Sequence, residues 1–282
     1  MRLNFIIGLF LLGFSSDLVG QSFFNYRRGR DFIASVGSGT STYFGDLKDD
    51  GEYFDFKPHL NVGLSYFFNG NFGARAEIQW FQLEGSDKNS SDENKIERNL
   101  SFQSNNFEFN VVGIYQAFTS NGSRYYQRPS FNLYGFAGLG LLYFNPTAEL
   151  DGKKYALQPI ATEGVSYSRV TLVIPYGLGV RIKVNPFWNL AIEGGFRQTF
   201  TDYIDDVSTN YIDNSSFRDP VDAALADRNL SGTPREAGRI RGNSEKNDNY
   251  FLMNIKVEFY LPADLLSSAK LKSGRPGKRR KR

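Results

Sequence analysis

Residues 72–80 read Phe-Gly-Ala-Arg-Ala-Glu-Ile-Gln-Trp, with apolar residues at every second position. Because successive side chains of a β-strand point to opposite faces, this stretch predicts a strand with one apolar face. Its other face carries a cation, Arg75, and an anion, Glu77. A charge facing lipid near the middle of a bilayer would cost about 2–4 kcal/mol. The stretch therefore indicates a strand that separates lipid from a polar interior.

Seven other segments show the same alternation, although the fifth strand is apolar on both faces and its facing stays open. The eight predicted strands are Asp31–Phe44, His59–Phe68, the segment beginning at Phe72, Phe107–Phe118, Phe131–Phe144, Val170–Val184, Phe187–Tyr203 and Tyr250–Leu261. The links alternate between long polar stretches and shorter connections, as in outer-membrane barrels. The sequence thus predicts an all-β fold, an eight-stranded antiparallel transmembrane β-barrel with long extracellular loops and both termini in the periplasm.

Aromatic residues cluster at the predicted strand ends, where they are expected to form two girdles at the membrane interfaces. One rim is predicted to contain Tyr43, Phe44, Trp80, Phe81, Tyr143, Phe144, Phe200 and Tyr203. The other is predicted to contain Phe67, Phe68, Phe72, Phe118, Phe131, Phe187, Trp188, Phe259 and Tyr260. A lipocalin-like barrel or β-sandwich is the soluble alternative, and alternation alone does not separate inside from outside. The predicted N-terminal signal peptide, the aromatic rims and the alternating loop lengths together favour the membrane barrel.

The interior of an eight-stranded barrel is just wide enough to be filled by side chains, which argues against a wide channel. The sequence predicts three neutralising pairs along single strands: Arg75 with Glu77, Glu193 with Arg197, and Lys256 with Glu258. Glycine pairs at 37/39, 138/140 and 177/179 lie within strands and are expected to pack inside the barrel.

Both ends of the chain differ from the barrel. Residues 1–20, with an apolar run at Phe5–Phe14, are predicted to be a signal peptide, and residues 21–261 the barrel. Residues 262–282 are predicted to be a periplasmic tail with eight cations: Lys270, Lys272, Arg275, Lys278, Arg279, Arg280, Lys281 and Arg282. The whole chain has a net charge of +3, so the remainder is acidic. The tail is expected to bind an acidic periplasmic protein, to contact cell-wall or membrane phosphates, or to be merely solvated. Nucleic acid is not an expected partner.

Catalytic and metal-binding patterns are weak. The chain has no cysteine, and its single histidine, His59, is predicted to be a polar residue of the outer rim without a serine and acid partner. A carboxylate-rich segment contains Asp202, Tyr203, Asp205 and Asp206, which are ligand types suited to Ca²⁺. It lacks the spacing and glycine of a calcium loop, so a solvated loop stem is the favoured interpretation. No enzymatic activity, cofactor or metal is therefore predicted.

Several stretches together resemble the PorG-type outer-membrane barrels of Bacteroidota. They are 43–47 (YFGDL), 98–102 (RNLSF), 144–146 (FNP), 157–159 (LQP), 162–164 (TEG), 200–208 (FTDYIDDVS) and 241–244 (RGNS). This resemblance implies a non-enzymatic component of the type IX protein secretion system. Its expected partners are outer-membrane lipid and the periplasmic ring built from a lipoprotein and its partner protein. The resemblance also implies a link to gliding motility in gliding species.

A second hypothesis remains open. It is that the chain is a stand-alone structural barrel or narrow conduit similar to OmpA or OmpW. A third, a lipid-modifying enzyme that depends on His59, is kept as a check.

Overall fold

The computed structural model describes residues 32–49, 56–119 and 128–261. In these ranges the strands are β1 (Phe32–Phe44), β2 (Lys57–Phe67), β3 (Phe72–Ser86), β4 (Ser101–Gln116), β5 (Phe131–Tyr143), β6 (Pro146–Leu150), β7 (Lys153–Ala156), β8 (Val170–Lys183), β9 (Trp188–Thr199) and β10 (Asn249–Tyr260). The helices are α1 (Glu93–Arg98) and α2 (Pro220–Ala226), with short 3-10 turns at Asp87–Asn89 and Asn214–Ser216.

Eight of the described strands close into an antiparallel barrel. The order around the wall is β1, β2, β3, β4, β5, β8, β9, β10, and β10 pairs with β1 again. Val36 lies opposite Val257 where β1 meets β10, and Ala76 lies opposite Val111 where β3 meets β4. No edge is left open in this wall, so every strand has two hydrogen-bonded neighbours. The predicted fold class is confirmed.

The two faces of the wall are sorted as a membrane barrel requires. Large apolar side chains such as Val62, Ile78 and Leu178 are exposed on the outside. Charged and amide side chains are buried on the inside, among them Arg75 and Glu193, each about 2% exposed. This is the reverse of a soluble barrel, in which the apolar face points inward. The fifth strand, whose facing the sequence left open, points Asn132, Tyr134, Phe136 and Leu142 inward.

Two strands continue well past the apolar wall, and their polarity inverts there. Trp80 still faces outward, but next to it Phe81 and Leu83 are fully buried inside, while Gln82 and Glu84 face outward. Strand β4 begins at Ser101, earlier than predicted, and pairs with this extension from Ser86 onward. Beyond the apolar band the strands carry polar side chains outside and an apolar core inside, which is the reverse of the pattern that predicts a lipid-facing strand. Strands β6 and β7 form an unpredicted hairpin that joins β4 in this region.

Several aromatic residues predicted for the girdles point inward instead. On the long-loop side Tyr43, Phe81 and Phe144 are fully buried, whereas Phe200 and Tyr143 are exposed on the outside. Their predicted girdle position is wrong because alternation along a strand sends neighbouring aromatic residues to opposite faces. At the other end Tyr260 is likewise buried, while Phe68, Phe72, Phe118 and Phe131 are exposed on the outer wall.

Neither helix in the described part of the chain is long and apolar enough to cross a membrane. The predicted signal peptide (residues 1–20) and the eight tail cations between positions 270 and 282 lie outside the described residues.

Candidate functional site: the filled lumen and the folded cap

Four charged side chains meet in the middle of the lumen. Arg75 donates from Nη1 and Nη2 to the carboxylate of Glu193, with 3.1 Å between Nη2 and Oε2. The Lys256 ammonium lies 2.6 Å from Glu193 Oε2 and also donates to Glu77. Arg75 Nε lies 3.1 Å from Glu77 Oε2. Two cations and two anions thus compensate one another where water is excluded, which is the condition under which buried charges are tolerated.

Further ion pairs lie on either side of this group. Toward the short-turn end, Arg181 binds Glu258 through Nε and Nη2 at 2.6 and 2.9 Å. Toward the long-loop end, Arg197 Nε lies 3.7 Å from Glu108 Oε2, and Tyr250 donates its hydroxyl to the same oxygen at 2.7 Å. Charged side chains therefore fill the lumen in successive layers.

The partners differ from those predicted along single strands. Arg75 does contact Glu77, but Arg197 binds Glu108 instead of Glu193, and Glu258 binds Arg181 instead of Lys256. Residues two apart on a strand, such as Lys256 and Glu258, are separated by roughly 7 Å along its axis, and residues four apart, such as Glu193 and Arg197, by about twice that. In a narrow barrel, side chains that cross the lumen reach each other more readily.

Inward-facing glycines provide room for these long side chains. A Cβ atom at Gly179 would lie 2.4 Å from the Tyr134 ring, whose hydroxyl donates to Glu193 Oε1 at 2.5 Å. A Cβ atom at Gly37 would lie 2.7 Å from Cγ of Lys256. The prediction that these glycines pack inside the barrel is confirmed at both positions.

Arg128 lies across the short-turn end of the lumen. It donates to the side chain of Asn189 at 2.7 Å and to the backbone carbonyls of Asn185 and Pro186 at 3.3 and 3.2 Å. Its guanidinium also lies 4.0 Å from the ring centre of Tyr260, a favourable cation–π distance. This arginine ties the link before β5 to the turn before β9.

The opposite end is covered by a folded unit, here called the cap: residues 45–49, 81–106, 144–169 and 200–248. Its core joins loop residues to inward residues at the tops of the strands, namely Tyr43, Leu47, Phe81, Leu83, Leu100, Phe102, Leu142, Phe144, Ala148, Leu157, Val173, Ile204, Val207, Leu225, Tyr250 and Leu252. The long loops are therefore packed together over the barrel and share one apolar core.

Two buried arginines join the long loops. Arg98, at the end of α1, binds both carboxylate oxygens of Asp87 at 2.7 Å and donates to the carbonyl of Arg241 at 2.5 Å. Arg241 in turn donates to Glu163 Oε1 at 2.9 Å and to the carbonyl of Asp206 at 2.5 Å. Loops separated by up to about half of the chain are therefore connected by charge-assisted hydrogen bonds.

The stretches that carry the family resemblance meet in this cap. Asp46 of 43–47 accepts the backbone N–H of Asn243 in 241–244 at 2.5 Å. Glu163 of 162–164 accepts the N–H of Ser208 in 200–208 at 3.0 Å. The N–H of Leu157 donates to the carbonyl of Pro146 at 3.0 Å. Stretches that are scattered in the sequence are thus one structural unit.

The carboxylate-rich segment is not a solvated loop stem. Asp205 and Asp206 are each about 1% exposed, and Asp202 is also buried. Asp206 accepts hydrogen bonds from Thr162 at 2.5 Å and from Tyr167 at 2.6 Å, while Tyr203 stacks on Tyr167 with 4.6 Å between ring centres. The predicted exposure of this segment is wrong because its charges alone do not reveal the loops that pack over it.

Burial changes the acid–base behaviour of this segment. Burial raises the pKa of Asp202 to about 7, and burial raises the pKa of Asp206 to about 6 despite the opposing Arg241. Asp205 and Asp248 both lie within hydrogen-bond distance of the Tyr43 hydroxyl, at 2.6 and 2.7 Å. One phenol proton serves one acceptor at a time, and burial raises the pKa of both carboxyls well above the usual range. Among the described residues no group of three or more His, Cys, Asp or Glu side chains is arranged to hold a metal ion.

His59 lies inside the lumen instead of on the rim. It is fully buried, its Nε2 lies 2.8 Å from Gln79 Oε1, and its ring packs edge-on against Phe81. The rim prediction is wrong because His59 has the inward register of Asn61 on β2. In the described part of the chain, no serine is hydrogen-bonded to this imidazole.

Residues 21–218 match the family model described as "Outer membrane protein beta-barrel domain". The chain therefore belongs to this family of outer-membrane β-barrel proteins, and the outer membrane is its location. No curated protein sequence matches the chain.

Solved structures with a similar fold include three bacterial barrels. Neisserial surface protein A has 10% sequence identity and a TM-score of 0.42, over 82% of this chain and 97% of that one. The N-terminal β-barrel domain of Pseudomonas aeruginosa OprF has 9% identity and a TM-score of 0.39, over 82% and 98%. The attachment invasion locus protein Ail of Yersinia pestis has 11% identity and a TM-score of 0.40, over 82% and 98%.

Several residues of the site were not predicted from the sequence. Arg98 and Glu163 stand in the stretches 98–102 and 162–164 that carry the resemblance, but no role was predicted for their side chains. Asp248 lies in a loop without periodicity, and Arg128 lies in a link that looked merely polar. Arg181 did carry a signal, because it occupies an inward position of the alternating segment that became β8.

Proposed function

We propose that this chain is a non-enzymatic outer-membrane anchor for the periplasmic ring of the type IX protein secretion machinery. The observation that carries the proposal is the filled lumen. Ion pairs occupy its middle, Arg128 crosses one end, and the cap covers the other. A barrel filled in this way offers surfaces for partners in preference to a passage for solutes.

The link to secretion comes from the resemblance to PorG-type barrels. Its support in the structure is that the resembling stretches contact one another in the cap, as in the pairs Asp46–Asn243 and Glu163–Ser208. A shared packed unit is a stronger basis for family likeness than unconnected loop motifs. In this proposal the long loops face outward, both termini lie in the periplasm, and the short turns and basic tail contact the ring lipoprotein and its partner. Cell wall and other outer-membrane proteins are the remaining candidate partners.

Gene deletion tests the role directly. We expect loss of secretion of cargo that carries the type IX C-terminal signal, and co-purification of ring proteins with the full-length chain from outer membranes. Removal of residues 270–282 should weaken that co-purification while the barrel still folds. The matched control replaces the eight cations with glutamine at unchanged length: equal weakening assigns the effect to charge. Unchanged recovery of ring proteins would contradict the role of the tail.

A stand-alone structural barrel or narrow conduit is equally compatible with the family. Intact secretion after deletion, together with altered envelope permeability, would favour that alternative. Loss of a lipid-modifying activity on His59→Ala would instead favour an enzyme.

A further inference from the structure

A large polar cleft opens at the side of the cap. It has a volume of about 1080 Å³ and lies between the first two long loops and the last one. Asp46, Asp49 and Lys95 line one side, and Arg235, Arg239, Ile240 and Lys246 line the other. The lumen network and the proposed ring contacts involve none of these side chains.

The acids of this cleft are Asp46, Asp49 and Asp92, and all three are already used within the protein; Asp92, just before α1, accepts the backbone N–H of Asn94 at 2.9 Å. Asp49 accepts hydrogen bonds from Ser90 and Ser91 and binds Lys95 at 3.1 Å. Asp46 accepts from the backbone of Asn243. Hydrogen bonds to Ser91 and Ser90 accordingly hold the pKa of Asp49 well below its usual range. These carboxylates are therefore engaged before any ligand arrives.

Three cations of the cleft, Arg235, Arg239 and Lys246, are not engaged in the way that these carboxylates are. Arg235 packs its guanidinium 5.5 Å from the Tyr211 ring centre, and its Nε and Nη2 atoms are buried without a hydrogen-bond partner. Within the described ranges, Arg239 and Lys246 form no ion pair, and both are exposed. Buried guanidinium N–H groups normally have an acceptor, because an unsatisfied buried donor loses its bonds to water without replacement. The cleft thus offers positive charge to an anion, and Arg239 and Lys246 are its exposed donors.

The cleft also continues onto the lipid-facing wall. Phe44, Gln198 and Asn249 line both the cleft and a smaller groove of about 320 Å³ that includes Tyr176 and Phe196. Tyr176 and Phe196 are each a little under half exposed, and their ring centres lie 6.2 Å apart. A cationic recess therefore adjoins an aromatic surface at the boundary between water and lipid.

We propose that this cleft binds the phosphate-bearing headgroup of a membrane lipid from the leaflet at the long-loop end. Arg235, Arg239 and Lys246 contact the phosphate, because guanidinium and ammonium groups form short charge-assisted hydrogen bonds to phosphate oxygens. The acyl chains lie along Tyr176 and Phe196. The proposal requires the membrane barrel but does not depend on the role in secretion.

The test uses the full-length protein in phosphatidylcholine nanodiscs and fluorescent diphosphoryl lipid A as the probe. Arg235→Gln/Arg239→Gln/Lys246→Gln should weaken binding by at least about tenfold, since the variant loses three positive charges and their charge-assisted hydrogen bonds to the phosphate. The control Lys88→Gln/Lys153→Gln/Lys154→Gln removes three exposed cations elsewhere on the cap and leaves the basic tail intact. It should change binding less than about twofold.

Further arms separate lipid from free phosphate and binding from misfolding. Arg239→Gln/Lys246→Gln changes only exposed side chains, so it should fold normally and still weaken binding. Phe196→Ala should weaken binding of the lipid but not of inorganic pyrophosphate. The proposal is overturned by equal losses in the cleft and control variants. Equally tight binding of dephosphorylated lipid, or of pyrophosphate alone, would overturn it as well.

Discussion

Replacing Glu193 with glutamine is the most direct test of the filled lumen. The Glu193 carboxylate accepts hydrogen bonds from both terminal nitrogens of Arg75 and lies 2.6 Å from the Lys256 ammonium. Without its charge, two buried cations share the single carboxylate of Glu77. The middle of the lumen would then carry one uncompensated positive charge.

The expected cost follows from that imbalance. Removing one partner of a buried ion pair typically destabilises a protein by about 3–5 kcal/mol, since the remaining charge stays buried. The matched control is Glu84→Gln, which makes the same chemical change in the ion pair between Glu84 and Lys57. The side chain of Glu84 is 39% exposed. An exposed pair is worth only about 0–1 kcal/mol, so the two variants should differ by at least about 2 kcal/mol.

Urea unfolding in phosphatidylcholine vesicles measures both free energies of unfolding. Trp80 and Trp188 report the transition because both lie on the outer wall and leave lipid when the barrel unfolds. Adding Lys256→Met to Glu193→Gln leaves Arg75 with Glu77 and restores charge balance, so it should recover part of the loss. Two results would contradict the coupling of the lumen charges. One is a loss of unfolding free energy in Glu193→Gln no larger than in Glu84→Gln, and the other is a loss in the double variant equal to the sum of the losses in its two single variants.

Four shorter predictions concern the cap and the lumen. Arg241→Gln should release the last long loop, seen as faster protease cleavage within 200–248, with a loss of about 3–5 kcal/mol in cap stability; unchanged cleavage would contradict this. Burial raises the pKa of Asp206 from its ordinary 3.8 to about 6, so between these pH values the carboxyl is protonated in the folded protein and ionised in the unfolded chain. Wild-type protein should therefore lose thermal stability relative to Asp206→Asn as pH rises through about 4 to 6, and a flat difference would refute the shift. Gly179→Val should prevent native folding, because its Cβ would meet Tyr134 at 2.4 Å, and heat-modifiable migration in gels checks this. His59→Ala should leave the envelope lipid composition unchanged by mass spectrometry.

The barrel wall could be predicted from the sequence, but most of the ion pairs inside it could not. Alternation placed Arg75 and Glu77 on the inner face, because the side-chain period of a strand is two. It could not predict that Arg197 would bind Glu108, since pairing across a lumen depends on strand stagger and barrel closure. Periodicity shows which face a residue occupies and not what it meets there.

The cap was beyond prediction for a different reason. Tyr43 looked like a girdle residue and Asp205 like a solvated acid, yet the two are hydrogen-bonded in a buried site. Both expectations depended on assigning each loop to water by its composition. Burial of these residues arises only when loops separated by well over a hundred positions pack together, and composition carries no trace of that.

The inversion of polarity between Trp80 and Phe81 has a consequence for biogenesis. The apolar core of the cap takes Tyr43, Leu142 and Leu252 from three different wall strands, so these side chains come together only after the wall has closed. We expect the folded surface of the cap to form late in assembly and to be absent from chains whose barrel has not yet closed. An antibody specific for that surface would therefore bind fully folded barrels and not unfolded or partly assembled chains.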